Sequence, residues 1–332
     1  MTIKKIFAVA AALAVLPLTG CRKDLCYDHN LHGTKVQVEI QPTWVQEWED
    51  GSGNWQQNWN QSFGLAYDDL RPAIPSGLRV LDYEEDGAVR TNNIAPEGGI
   101  VSLSDGNHAF LCYNNNTEYI VFNNVDSWAS ASATTRTRTR ASYFAQGHAD
   151  EVTVNPPDML YAAYVPDYTA VRAVEPDVLP VEMRPLVYTY YVRYEFKSGL
   201  DYVALARGAL SGMARSVYLG DGSTSDEAVT VLYDCTLTGY GAEARVMTFG
   251  VASQGAARAV EAYNLNLEVR LKNGNMKNFD VDVTSQIQQQ PRGGVIVVKD
   301  LEITDDEGLA GGSGFDVEVN GWGEYEDIPL PL

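Results

Sequence analysis

Residues 265–283 read LNLEVRLKNGNMKNFDVDV. Leu265, Leu267, Val269 and Leu271 alternate with Asn266, Glu268, Arg270 and Lys272, and after Asn273-Gly274 the apolar set Phe279, Val281 and Val283 returns on the same period. Side chains of an extended strand point alternately to opposite faces, so a period of two gives one buried and one wet face. Asn-Gly tolerates the positive φ values of a tight primed turn, so the stretch is expected to be a β-hairpin closed at Asn273-Gly274.

The same period runs outward through the chain. From Tyr188 to Phe196, Tyr188, Tyr190, Val192, Tyr194 and Phe196 alternate with Thr189, Tyr191, Arg193 and Glu195. Shorter runs of this kind fall at 36–40, 108–113, 118–122, 229–233, 245–249, 295–303 and 315–319, and no amphipathic helix of any length is evident. Many short strands between Gly, Asn and Asp clusters predict an all-β fold of antiparallel sandwiches. The chain without its leader is long enough for two domains at about 100–200 residues each. Two stretches resemble a seam. Residues 130–140 lack large apolar side chains and end in alternating Thr and Arg, while 165–185 carries Pro166, Pro176, Pro180 and Pro185, which remove ladder donors. The boundary is set near residue 178, giving domains at 21–178 and 179–332 after a leader at 1–20. The Thr-Arg run then belongs to the first domain as an edge strand or loop, with like charges on one face that discourage stray pairing.

The N-terminus has the charge pattern of a signal peptide: Lys4 and Lys5 precede an apolar run from Ile6 to Leu18. That run is shorter than the roughly 20 residues a spanning helix needs. Leu18-Thr19-Gly20-Cys21 resembles the bacterial lipobox, which implies cleavage before Cys21 and a lipid on its sulfur, the expected membrane attachment. Each buried acyl CH2 contributes about 0.8 kcal/mol, so several chains hold a protein to a membrane almost permanently. The chain has 44 acidic against 24 basic side chains. Losing Lys4 and Lys5 with the leader makes it more acidic still, which argues against nucleic acid as a partner. Cys26, Cys112 and Cys235 form no CxxC pair, so a disulfide framework is not expected, although one bridge is open; Cys112 and Cys235 read as small core residues.

Residues 75–124, with PSGLRVLDYEEDG and IAPEGGIVSLSDGNHAFLCYNNNTEYIVFNN, resemble the N-terminal domain of the fimbrillin-like lipoproteins of Bacteroidales, which include the anchor subunits of their pili. The opening CRKDLCYDHNLHG resembles a group of lipoproteins often close to those pilus proteins, and Ala206–Ala214, ARGALSGMA, resembles the start of the family's second sandwich. The resemblance implies two transthyretin-like sandwiches in series on a lipidated, outer-membrane protein. It also implies fimbrial subunits as partners, joined by strand addition.

The tail Ile328-Pro329-Leu330-Pro331-Leu332 is broken by prolines and suits a donated strand poorly, which favours an anchor or accessory subunit over a shaft subunit. A tail lying along a sheet edge is the alternative. No enzyme signature is found, so no catalytic residue, metal or cofactor is expected. His29, His32, His108 and His148 lie in no metal-binding spacing, and the acidic clusters 84–86 and 305–307 end in Gly as turns do. The rival function is glycan capture. Trp44, Trp48, Trp55 and Trp59 lie among polar residues, and Trp55 and Trp59 are the candidate sugar contacts; in the plainer reading Trp44 and Trp48 point inward from one strand face as core, and Trp55 and Trp59 cover a sheet edge.

Overall fold

The structure, a computed structural model, describes residues 36–46, 66, 68, 71–139, 148, 150–253 and 262–310. Nineteen strands are numbered in chain order: β1 Val36–Trp44, β2 Leu78–Glu84, β3 Val89–Ile94, β4 Gly99–Leu103, β5 Gly106–Asn114, β6 Ile120–Asn123, β7 Ser132–Thr135, β8 Thr153–Val154, β9 Tyr161–Ala170, β10 Asp177–Pro185, β11 Tyr188–Ser198, β12 Val203–Ala214, β13 Ser216–Tyr218, β14 Ala228–Asp234, β15 Thr236–Thr238, β16 Gly241–Thr248, β17 Asn264–Leu271, β18 Met276–Asp282 and β19 Gly294–Glu302. Two short helices, α1 Thr284–Gln289 and α2 Asp305–Leu309, complete the described elements with one 3-10 turn at Leu200–Tyr202. Every run read as a strand overlaps one of these except 315–319, which lies outside the described residues.

Seven strands in the order β3-β2-β5-β9-β10-β1-β4 form a sheet that bends at β9 and β10, where only Tyr161 and Ala162 pair with Pro185 and Arg184. Its two halves close on each other over a core of Val38, Ile40, Leu78, Val80, Val101, Phe110, Cys112, Tyr161 and Met183. The second sandwich packs β15-β16-β11-β19 against β18-β17-β12-β14-β8, around Tyr190, Val192, Tyr194, Leu210, Met213, Leu265, Leu267, Val269 and Ile296. A further sheet, β13-β7-β6, covers the outer face of β2, β5 and β9. The chain is therefore all-β, built of two sandwiches. Residue 178 lies inside β10, a strand of the first sheet, and the chain passes into the second sandwich at Leu186-Val187.

The antiparallel ladders are joined by three parallel pairings, β1 with β10, β11 with β19 and β8 with β14. Parallel neighbours need a long connection between them. Here the connection is other strands of the fold. Two strands cross between halves of the chain: β8, from the first half, adds to the second sandwich through β14, and β13, from the second half, pairs with β7.

The decisive hairpin is present as β17 and β18, with Leu265 opposite Val281 and Leu267 opposite Phe279. Its turn differs from the expected two-residue one. Leu271 N–H donates to Asn275 O and Gly274 N–H to Leu271 O, so three residues turn the chain and Gly274 alone takes a positive φ, 87°. Asn273 is freed to donate its side-chain amide to the carbonyls of Glu307 and Gly308, fastening α2 to the hairpin. The faces expected to be wet are also partly closed. Glu268 is buried and accepts from Arg207 at 2.8 Å across the β12–β17 ladder, and Tyr191 on β11 is buried with its hydroxyl on Glu243.

The segment Ala206–Ala214 has a packing reason at its centre. A Cβ on Gly208 would stand 2.3 Å from the ring of Tyr233, its cross-strand partner, whose hydroxyl meets that of Tyr194 at 2.7 Å. Only glycine lets that ring lie flat across β12. Gly208→Ala is expected to destabilise the protein by about 1–3 kcal/mol, the usual cost of overpacking, read as a lower urea midpoint with an unchanged slope.

His148 links two carboxylates, Glu151 at 2.5 Å and Asp280 of β18 at 2.8 Å. Burial works against its charged form, but the two carboxylates outweigh it and raise its pKa above the ordinary 6.5. A group raised on folding stabilises fully below its unfolded pKa and loses that contribution as pH rises through the folded one. The stability difference between wild type and His148→Gln is therefore expected to be larger at pH 6 than at pH 9. Equal differences at both values, by urea denaturation, would refute this.

Candidate interaction surfaces

Cys21, Trp55, Trp59, Trp48, His29, His32 and the 315–332 tail all lie outside the described residues. Trp44 is described and is partly buried, packed against the first core. Its indole meets Tyr161 edge-on at 5.1 Å, and its Nε1 donates to Pro96 O at 2.9 Å.

The Thr-Arg run departs from its reading as a repelling edge. Arg138 is buried, with Nη1 donating to Leu232 O at 3.0 Å and Nη2 on Asp234 at 3.1 Å, both at the end of β14. Arg138 N–H donates to Thr153 O, and Asn155 N–H to Arg136 O, so the run pairs with β8. Arg136 faces solvent while Arg138 clasps the second sandwich. Alternation in sequence did not become one charged face because the two arginines have different partners.

The two described histidines are engaged in structural contacts. His108 is buried with Nδ1 2.6 Å from Asp82 and Nε2 3.1 Å from Ser104 O. Since a carbonyl can only accept, Nε2 is the donor to Ser104 O. Burial is the first cause that raises the Asp82 pKa, opposed by His108. Cys112 is buried and free, its thiol pushed up to about 12 by burial, and Cys235 is free against the second core. No three His, Cys, Asp or Glu side chains converge as metal ligands among the described residues.

Of the acidic clusters, Glu84–Asp86 is a turn closed by Gly87, as read. Asp305–Glu307 is instead the first turn of α2. Thr304 caps it, its hydroxyl accepting from Glu307 N–H while the Glu307 carboxylate accepts from Thr304 N–H. The Thr304-x-x-Glu307 spacing is the sequence signal for that helix. Glu307 also pairs with Lys277 at 2.6 Å, and that contact, first among several, lowers its pKa.

What the fold offers to other molecules is edges and surface. The first sheet ends at β3, which exposes Arg90, Thr91 and Asn93, and at β4, an uncharged strand that exposes Ile100. Lys277, Asp280 and Asp282 punctuate β18, the outer strand of the second sandwich's larger sheet. Charges on such strands discourage unspecific pairing.

A second surface lies where loops from the two halves of the chain meet. Trp128, between β6 and β7, stacks on Tyr164 of β9 at 4.7 Å and 20°. With Ala129, Tyr218, Gly220, Asp221 and Ser223 they line an open cleft of about 420 Å³. Composition did not single these residues out, because Trp128, Tyr164 and Tyr218 are far apart in sequence. A lone Trp in the polar turn Asn124–Ser130 was the available signal.

Among curated proteins, a protein of Bacteroides ovatus described as a fimbrium anchoring subunit, Fim4B, is 21% identical over 356 aligned residues, with 96% of each chain covered. Among solved structures, one from Bacteroides ovatus described as an adhesin aligns with a TM-score of 0.55 at 19% identity, covering 83% of this chain and 97% of its own, and so shares the fold. The fimbrial anchor protein Mfa2 of Porphyromonas gingivalis aligns at a TM-score of 0.44 and 15% identity, over 81% of this chain and 94% of its own. Residues 66–234, more than half of the chain, match the family described as Domain of unknown function (DUF5119), and the chain belongs to it.

Proposed function

We propose that this protein is a non-enzymatic anchor or accessory subunit of a fimbria, tethered to the outer membrane through a lipid on Cys21 and presenting its two sandwiches at the cell surface to other fimbrial subunits. The observation that carries the reading is the end-to-end correspondence with the Bacteroides ovatus protein described as a fimbrium anchoring subunit, since 96% of both chains align. A correspondence of that extent covers both sandwiches and the segment before them, so it concerns the whole architecture. The fold fits the task. Its two sandwiches share an apolar seam, which suits a part that transmits load between a membrane and a filament. The strand addition implied by the family resemblance would use an open sheet edge such as β4.

The test compares wild type with Cys21→Ala in the native host. Wild type is expected to sediment with the outer membrane and to bring fimbrial subunits with it after mild cross-linking, identified by mass spectrometry. The alanine variant is expected in the soluble fraction. An alanine variant that still sediments would overturn the lipid tether, and a wild type that brings down no fimbrial subunit would overturn the anchor reading.

A further inference from the structure

We propose that the cleft formed by Trp128, Tyr164, Tyr218 and Asp221 is a binding site for a pyranose ring of a neutral glycan. The inference is independent of the anchor reading and concerns residues other than Trp55 and Trp59.

The geometry comes first. Tyr164 stacks on the Trp128 indole at 4.7 Å, yet Trp128 remains 45% exposed, so that contact leaves much of its surface open to solvent. Tyr218, at the end of β13, is 40% exposed across the cleft. Large aromatic side chains are normally drawn inward by their apolar area. Here two are held out, on loops that are internally tied. Tyr218 N–H donates to Ser223 O and Gly222 N–H to Tyr218 O. Asp221 Oδ1 accepts from both N–H and Oγ of Ser223, at 2.9 and 2.7 Å. The other loop is closed by Ala131 N–H to Ser127 O, and Leu219 N–H donates to Ala131 O to join the two loops. The platform is thus preorganised, which lowers the entropy lost on binding.

The chemistry selects the occupant. A pyranose has a flat C–H face that packs on an aromatic plane and a rim of hydroxyls that both donate and accept. The residues that line the cleft also bring Trp128 Nε1, the Tyr164 and Tyr218 hydroxyls and Asp221 Oδ2, none of which has a hydrogen-bond partner among the described residues. These are donors and acceptors in the same cleft as a flat apolar surface. A site for a protein side chain would be an apolar pocket enclosing an anchor residue. This cleft has no aliphatic side chain larger than Ala129 and is open. Its volume of about 420 Å³ lies within the range of about 300–1,000 Å³ typical of small-ligand sites. The Asp221 carboxylate and the net charge of −20 disfavour acidic sugars, which leaves neutral ones.

The test uses the full chain in detergent, titrated by calorimetry with hexasaccharides of β-1,4-linked glucose, xylose and mannose and of α-1,4-linked glucose. Saturable binding to at least one is expected, weakened about tenfold or more by Trp128→Ala, the equivalent of about 1.4 kcal/mol, and weakened by Tyr218→Phe and Asp221→Asn. The last two remove single polar groups from exposed positions and keep the test valid if the alanine variant misfolds. Trp55→Ala with Trp59→Ala is expected to leave binding unchanged. No saturable binding to any of the four overturns the proposal, as does binding that all three cleft variants leave intact. So does loss of cross-linked fimbrial subunits in Trp128→Ala when no sugar binds, because the cleft would then serve a protein partner.

Discussion

The outer face of β2, β5 and β9 carries Leu81, Leu111, Tyr113 and Ala162, with Leu160 just ahead of β9, and what covers it determines how the whole chain is arranged. Its cover comes partly from β6 and β7, with Ile120, Ala131 and Ala133. The rest comes from the second half of the chain: Leu186, Val187, Ala214, Val217, Leu219, Phe249 and Ala252. Two sandwiches with separate cores would ordinarily meet through a modest, polar interface and move relative to one another. Here the interface is itself an apolar cluster of buried residues. At roughly 25 cal/mol per Å² of apolar area removed from water, separating the halves would expose a surface comparable in kind to a core.

Strand exchange reinforces that cluster. With β13 in the covering sheet and β8 in the second sandwich, each half completes a sheet of the other, and Arg138 adds a buried guanidinium on Leu232 O and Asp234. Backbone pairing of this kind is directional, so it fixes orientation where apolar contact alone would tolerate sliding. The same junction sets Tyr218 and Asp221 beside Trp128. The aromatic cleft is therefore a product of the interlock: either half alone supplies only part of its wall.

Much of the fold was legible because period two is a local property. The strands at Tyr188–Phe196 and in the 265–283 hairpin could be read from their own residues. Burial of the opposite face could not, since it depends on what arrives from elsewhere. Glu268 looks like a solvated residue until Arg207 is placed opposite it on β12. A buried pair of this sort adds little net stability over apolar residues, yet leaving one charge unpartnered costs about 3–5 kcal/mol. Only the observed β12–β17 register pairs both. The pairing thus reads as a register lock, a role no single strand sequence reveals. The parallel pairings were hidden for the same reason, because β1 and β10 share no local signal.

The turn at 272–274 and the Thr-Arg run show a different limit. Asn273-Gly274 marked a turn correctly, but its type was decided by α2, whose carbonyls draw the Asn273 amide away from a tight two-residue geometry. At 136–138 the alternation of arginines suggested a uniform charged face, and Asp234 took one of them inward. In both cases a polar side chain with several hydrogen-bond options chose a distant partner. Apolar residues have one requirement, removal from water, and their pattern therefore survives from sequence to structure. Polar residues are read correctly only once their partners are known. That difference explains why the core of this protein could be anticipated, while Trp128, Tyr218 and Asp221, whose proposed role rests on unused polar capacity, emerged only from the fold.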